Sequence, residues 1–128
     1  MRYKRTIAFD LDDVICSRTS DEGGVSKYHT CYPFPKMISI VNESYDQGNK
    51  IIIYTARGMS TFCGNVQKIY SELYEITKTQ LREWGVKHHE LIMGKPHYDI
   101  IIDDKALNSE RVSTVKDISK FFNGEEND

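Results

Sequence analysis

Short apolar runs alternate along this chain with longer stretches whose apolar residues recur at helical spacing, and that alternation predicts its elements. Ile7-Ala8-Phe9 is a near-continuous apolar run of the kind buried in parallel sheets, and it predicts the first strand. Met37, Ile38, Val41 and Tyr45 share one face and predict a helix over about 35–47, introduced by Pro33 and Pro35 and stopped by Gly48. Ile51-Ile52-Ile53-Tyr54 predicts the second strand. Val66, Ile69, Tyr70, Leu73, Ile76 (or Thr77), Leu81 and Trp84 predict a long helix over about 65–84, closed by Gly85. Leu91-Ile92-Met93 and Asp99-Ile100-Ile101-Ile102 predict two more strands, and Val112, Val115, Ile118 and Phe122 a last helix over about 110–122. Strands that alternate with helices imply an α/β fold with a mainly parallel sheet and right-handed crossovers. Residues 1–123 are expected to form a single domain, followed by a disordered acidic tail over 124–128.

The segment 17–34 breaks the pattern. Its first half has no periodicity and reads as a loop; its second half carries Tyr28, His29, Tyr32 and Phe34, which suggests a flap lying on the protein.

Composition narrows the function classes. A chain of 128 residues with 39% hydrophobic and 28% charged residues is an ordinary globular protein with room for one core. A formal net charge of -2 argues against bulk nucleic-acid or membrane-surface binding. No stretch has the length of a membrane-spanning helix, and the first residues lead into a strand and not a signal peptide. Cys16, Cys31 and Cys63 have no Cys-x-x-Cys spacing and read as reduced thiols of a cytoplasmic protein. His29, His88, His89 and His97 form no metal-ligand spacing; only His97, near Lys95, is a minor candidate for substrate contact.

The chemistry collects at strand ends. Asp10 and Asp12 follow the first strand at alternate positions, with Asp13 next to them. Parallel strands put their carboxyl ends on one edge of the sheet, where α/β proteins bind ligands. That edge is expected to gather Asp10 and Asp12, Thr55 with Arg57, Lys95, and Asp103 with Asp104. Packed carboxylates repel and need a proton or a cation, and oxygen-only ligands favour Mg²⁺. Each residue also has a plain structural reading: a solvated acidic turn, a threonine in a turn, a surface lysine, an acidic helix cap.

In this order the motifs resemble the haloacid dehalogenase superfamily of phosphotransferases. Asp10-Leu11-Asp12-Asp13-Val14 matches the first motif, Thr55 the second, Lys95 in Met-Gly-Lys-Pro the third and Asp103-Asp104 the fourth, although many members space that last acidic pair. The resemblance implies a Rossmann-like three-layer sandwich. Asp10 would be the nucleophile that forms an aspartyl-phosphate, and Asp12 the general acid and base. Thr55, Ala56 and Lys95 would bind the phosphoryl group, and Mg²⁺ would be held by Asp10, the carbonyl of Asp12 and Asp104, with Asp103 as the alternative. Arg57 is expected to clamp phosphate or substrate. Larger members carry a cap domain; neither gap here can hold one of about 50 residues, so the site is expected to be open unless the 17–34 flap or a neighbouring subunit covers it.

The phrases around Thr55 and Lys95 also look like a narrower bacterial group linked to capsular polysaccharide biosynthesis. A sugar or polyol phosphate, read by Arg18, Lys27, Tyr28 and Arg57, is therefore the expected substrate. A nucleic-acid 3′-phosphatase is the enzymatic alternative, since Thr55-Ala56-Arg57 also resembles the phosphatase half of polynucleotide kinases. A phosphate-accepting receiver domain is the signalling alternative, but its acceptor aspartate should end a middle strand, where Tyr54-Thr55 stands.

Overall fold

The computed structural model describes residues 2–17 and 24–127. The chain divides into two compact units, Met1–His97 and Tyr98–Asp128.

The first unit holds a parallel sheet of three strands in the order β1 (Thr6–Asp10), β2 (Lys50–Tyr54) and β3 (Glu90–Ile92). Helix α1 (Pro35–Asp46) lies between β1 and β2 in the chain, and α2 (Val66–Glu83) between β2 and β3. In register, Asp10 faces Tyr54 and Tyr54 faces Ile92, so the three carboxyl ends are level. The ladder runs one step further, with Thr55 N donating to the Ile92 carbonyl at 3.0 Å.

Local chemistry explains these elements. In β2, Ile51 and Ile53 are fully buried while Lys50, Ile52 and Tyr54 are half-buried, the alternation of a pleated strand. Pro35 opens α1, where its missing N–H and fixed φ cost nothing. Asn65 caps α2 by accepting from Lys68 N at 3.1 Å. The buried face of α2 is Ile69, Leu73, Thr77, Gln80 and Leu81. Truncating a fully buried leucine such as Leu73 to alanine costs about 2–5 kcal/mol. Val66 and Tyr70, expected inward, are 40% and 37% exposed, and two polar residues take the inward positions nearer the helix end.

In the second unit the predicted strand over 99–102 does not form. Ile100, Ile101 and Ile102 are 76%, 50% and 94% exposed, and residues 100–103 are irregular up to a turn at Asp104. β-branched residues favour extended backbone, but a strand exists only where a neighbour completes its ladder, and none of the described residues pairs with this stretch. Helix α3 (Val115–Asn127) buries Val115, and Asp117 caps it by accepting from Ser113 N at 2.8 Å and Thr114 N at 3.1 Å. The helix runs on through Gly124 to Asn127 where a disordered tail is expected: once formed, a helix gains one hydrogen bond per added residue, and a glycine near its end costs only about 1 kcal/mol. Among the described residues no helix is long and apolar enough to cross a membrane.

Candidate active site

The turn after β1 places two carboxylates in different surroundings. Leu11, between them, is fully buried. Its carbonyl accepts from Val14, Ile15 and Cys16 N–H groups at 3.2, 2.8 and 3.2 Å, which curls the chain back, and Asp13 adopts φ 70° within that curl. Aspartate is among the few residues that enter this left-handed region at modest cost. Asp10 Oδ1 accepts from Leu11 N at 2.8 Å, and Oδ2 lies 3.1 Å from Lys95 Nζ. The Asp10 side chain is 39% exposed and that of Lys95 16%.

Lys95 reaches Asp10 from the loop after β3. Its N–H donates to the Thr55 carbonyl at 3.1 Å, which ties the β2 and β3 ends together. Gly94 precedes it at φ +88°, and a Cβ there would meet both methyl groups of Val66 at 3.2 Å. Thr55 is buried, and its hydroxyl accepts from Arg57 N at 3.1 Å while retaining its own proton as a donor. Ala56, half-buried, opens the turn in which its carbonyl accepts from Met59 N at 3.0 Å.

Asp12 faces Arg57. Nε lies 3.3 Å from Asp12 Oδ1 and 3.1 Å from Oδ2, and Nη2 lies 3.1 Å from Oδ1. The Arg57 side chain is fully buried. Nη1 donates to Thr77 Oγ1 at 3.2 Å and Gln80 Oε1 at 2.6 Å, and the guanidinium lies 4.9 Å from the centre of the Tyr28 ring. Burial works against the charge, but hydrogen bonding and attraction from Asp12 more than offset it and hold the Arg57 pKa above its ordinary value. The expected substrate clamp is therefore an internal residue: its donors point at protein acceptors and its side chain does not reach solvent.

Two thiols complete this cluster. Cys16 Sγ donates to Asp12 Oδ1 at 3.4 Å and Cys31 Sγ to the same oxygen at 3.9 Å. Asp12, Cys16 and Cys31 bring their ligand atoms within 4.8 Å of one another, a spacing that could hold a metal. The guanidinium already supplies the cation, however, with Nη2 at 3.7 Å from Cys16 Sγ and 3.6 Å from Cys31 Sγ. Burial, followed for Cys16 by Asp12, pushes both thiols up and keeps them protonated, whereas metal ligation needs thiolates. Without a metal the three form a packed polar cluster around the guanidinium.

Tyr28 also turns inward. It is 5% exposed, its hydroxyl accepts from Gly58 N at 2.9 Å, and its carbonyl accepts from Gln80 Nε2 at 2.6 Å. Gly58 sits at φ +79°, where a Cβ would come within 2.6 Å of Leu73 Cδ1. Of the residues expected to read a substrate, Lys27 is half-buried with Nζ 5.3 Å from the centre of the Tyr28 ring, and Arg18 lies outside the described residues. His97 Nδ1 lies 2.9 Å from Ser60 Oγ, an exposed pair that links the loops after β2 and β3.

The structure thus brings Asp10 together with Lys95, Asp12 with Arg57, and Thr55 with the backbone of both loops. Asp103 and Asp104 belong to the second unit, in exposed chain. Asp103 Oδ1 accepts from Lys105 N at 2.9 Å, and hydrogen bonds from Asp103 and then Lys105 hold the Asp104 carboxyl below its ordinary value. For Mg²⁺ the first unit offers the Asp10 carboxylate and the Asp12 carbonyl, oxygen donors of the right kind, while the Asp12 carboxylate is committed to arginine.

Sequence reasoning missed Gln80 and the part that Thr77 and the two thiols play in this cluster. Thr77 falls on the Ile69–Leu73–Leu81 stripe at i+4 spacing, and a polar residue on a core stripe is the signal that could have found it. A separate open groove of about 360 Å³, lined by Pro33, Pro35, Ile38, Ser39, Asn42 and Trp84, holds no ionisable group and offers no catalytic chemistry.

No family model and no curated protein sequence matches the chain. Among solved structures it is similar to a structural-genomics target from Vibrio cholerae, known from a crystal structure, at 28% sequence identity and a TM-score of 0.80. The similarity covers 94% of this chain and 98% of that one, so the α/β fold and its extent are common to both.

Proposed function

We propose that the chain is a Mg²⁺-dependent phosphatase of the haloacid dehalogenase type, with a Rossmann-like fold, hydrolysing a phosphate monoester through an aspartyl-phosphate on Asp10. The observation that carries the reading is the Asp10–Lys95 pair: a half-exposed carboxylate at the end of β1, 3.1 Å from an ammonium delivered from the loop after β3. A carboxylate left alone repels a phosphate; one held by a lysine can approach it.

Asp10 attacks phosphorus, forming a P–O bond as the bond to the leaving oxygen breaks. The departing oxygen takes its electron pair and a proton from the Asp12 carboxyl. Asp12 then accepts a proton from water as the water oxygen attacks phosphorus, and the bond to Asp10 breaks, releasing phosphate and regenerating both carboxyl groups. Lys95 holds the nucleophile and neutralises phosphoryl charge, and the Thr55 hydroxyl donates to a phosphoryl oxygen. Mg²⁺, held by Asp10 and the Asp12 carbonyl, would neutralise further negative charge. Asp104, with Asp103 as alternative, enters as a ligand on the sequence resemblance alone.

A sugar or polyol phosphate remains the proposed substrate, with Lys27 and Arg18 as its readers now that Tyr28 and Arg57 are turned inward. The test is phosphate release from sugar phosphates and a 3′-phosphorylated oligonucleotide, with Mg²⁺ and with chelator. Activity that requires Mg²⁺ and vanishes in Asp10→Asn is the expected result. Normal turnover in Asp10→Asn would end the assignment, and faster turnover of the oligonucleotide would move the substrate to nucleic-acid ends.

A further inference from the structure

The Asp12 carboxylate is held asymmetrically. Oδ1 lies near four donors, Arg57 Nε at 3.3 Å, Arg57 Nη2 at 3.1 Å, Cys16 Sγ at 3.4 Å and Cys31 Sγ at 3.9 Å. Oδ2 receives only Arg57 Nε, at 3.1 Å, among the hydrogen bonds described. An oxygen surrounded by donors is a poor place for a proton; the other oxygen is the better one. The guanidinium shares this asymmetry with the two thiols and is its charged part, so whatever fixes the guanidinium bears on which oxygen can exchange a proton.

That anchor is Gln80. It sits on the buried face of α2, and its Oε1 accepts from Arg57 Nη1 at 2.6 Å, with Thr77 Oγ1 accepting from the same nitrogen at 3.2 Å. Its amide orientation is fixed from the other end, where Nε2 donates to the Tyr28 carbonyl at 2.6 Å. The side chain therefore presents oxygen to the arginine. A regular helix that packs Leu73 and Leu81 into the core is a rigid mount for such an acceptor.

We propose that Gln80 is a positioning residue: through Arg57 it orients the Asp12 carboxylate so that Oδ2 is the oxygen that exchanges a proton with the leaving group and with water. The inference rests on the reading of Asp12 as the general acid and base of a phosphatase. Gln80 touches no reacting atom, and its effect should appear only where proton transfer matters.

The experiment uses two variants of the full chain. Gln80→Leu removes the acceptor and keeps apolar bulk; Gln80→Glu keeps an oxygen facing Arg57. Phosphoenzyme formation is measured in single turnover with an alkyl phosphate, which needs acid help, and with an aryl phosphate, whose good leaving group needs little. Gln80→Leu should lose about tenfold or more on the alkyl ester and less than about twofold on the aryl ester, part of the range that general acid catalysis spans. Gln80→Glu should recover most of the alkyl rate. Equal losses on both esters overturn the proposal.

A second readout needs no activity. The Arg57 Nε–H resonance, slow to exchange while bound to Asp12, should shift and exchange faster in Gln80→Leu. An unchanged resonance overturns the positioning role whether or not the chain is a phosphatase. A wild-type chain without phosphatase activity but with the expected resonance change overturns the functional reading alone. If Gln80→Leu fails to fold, Gln80→Ala takes its place, and an unchanged alkyl-to-aryl ratio with an unchanged Arg57 signal overturns the proposal.

Discussion

Asp10 and Asp12 stand two residues apart on one turn, yet its two flanks are built in different ways. On the Asp10 flank a carboxylate and a lysine meet near solvent at 3.1 Å, with the ammonium 5.9 Å from the centre of the Tyr54 ring. On the Asp12 flank a fully buried arginine forks onto the carboxylate, is held from behind by α2, and is faced by an aromatic ring and two thiols. The first flank can open to a ligand at small cost. The second cannot lose Arg57 or Asp12 without leaving the other charge unpaired. One flank is suited to changing partners during a reaction, and the other to keeping its partners fixed.

The largest effect should come from Arg57→Ala. It leaves Thr77 and Gln80 without their donor and Asp12, 25% exposed, with only the two thiols, and the loss should approach that of a broken buried pair, about 3–5 kcal/mol. Lys95→Ala removes the partner of a half-exposed carboxylate and should cost about 1 kcal/mol or less in stability while reducing the proposed phosphatase turnover by about 10²–10³. Urea unfolding of both variants makes the comparison directly. Equal losses of stability would erase the distinction between the flanks.

A smaller effect separates them by pH. Cys16, Cys31 and Tyr28 all lie on the Asp12 flank, and burial, the largest cause for each, raises them above their ordinary values of 9.0, 9.0 and 10.0. Above pH 9 the unfolded chain gives up these protons while the folded chain keeps them. The native state then binds more protons than the unfolded one, so stability is complete below about pH 9 and falls as pH rises. Cys16→Ser keeps a donor for Asp12 without a group that titrates in this range and should flatten the decline between pH 8 and 11; an unchanged slope would remove Cys16 from the account.

The smallest effect is one of reactivity. Cys63 is exposed, and Cys16 and Cys31 are buried and protonated at neutral pH. An alkylating reagent at pH 8 should modify Cys63 within minutes and the other two only through opening of the fold. Mass mapping that finds Cys31 labelled as fast as Cys63 would show the Asp12 flank to be looser than described.

Much of this was legible in the sequence because period and composition act locally. The apolar runs at Ile7–Phe9, Ile51–Tyr54 and Leu91–Met93 became parallel strands, with boundaries within one or two residues, and helices α1 and α2 fall where their stripes and glycine stops put them. Asp10, Thr55 and Lys95 were readable as strand-end residues for the same reason. The direction of Arg57 was not: one residue two places after a strand can face solvent or core, and the choice was made by Thr77 and Gln80 on a helix 20 and 23 residues further along. Tyr28 failed in the same way, its aromatic ring taken for a ligand contact when its hydroxyl serves Gly58. The isoleucines at 100–102 show the converse. Strong β propensity was plain, but propensity does not supply a ladder partner.

The hydrogen bond from Gly58 N to the Tyr28 hydroxyl turns one amide into a clock. Tyr28 belongs to Gly24–Thr30, a single short helical segment, so its ring cannot withdraw without releasing the Gly58 amide to water. Exchange of that one proton for deuterium therefore counts the excursions in which the segment lifts and the arginine beneath it is uncovered. If lifting is local, the Gly58 amide exchanges much faster than the amides of Ile51 and Ile53 in the central strand, and Tyr28→Phe makes it faster still.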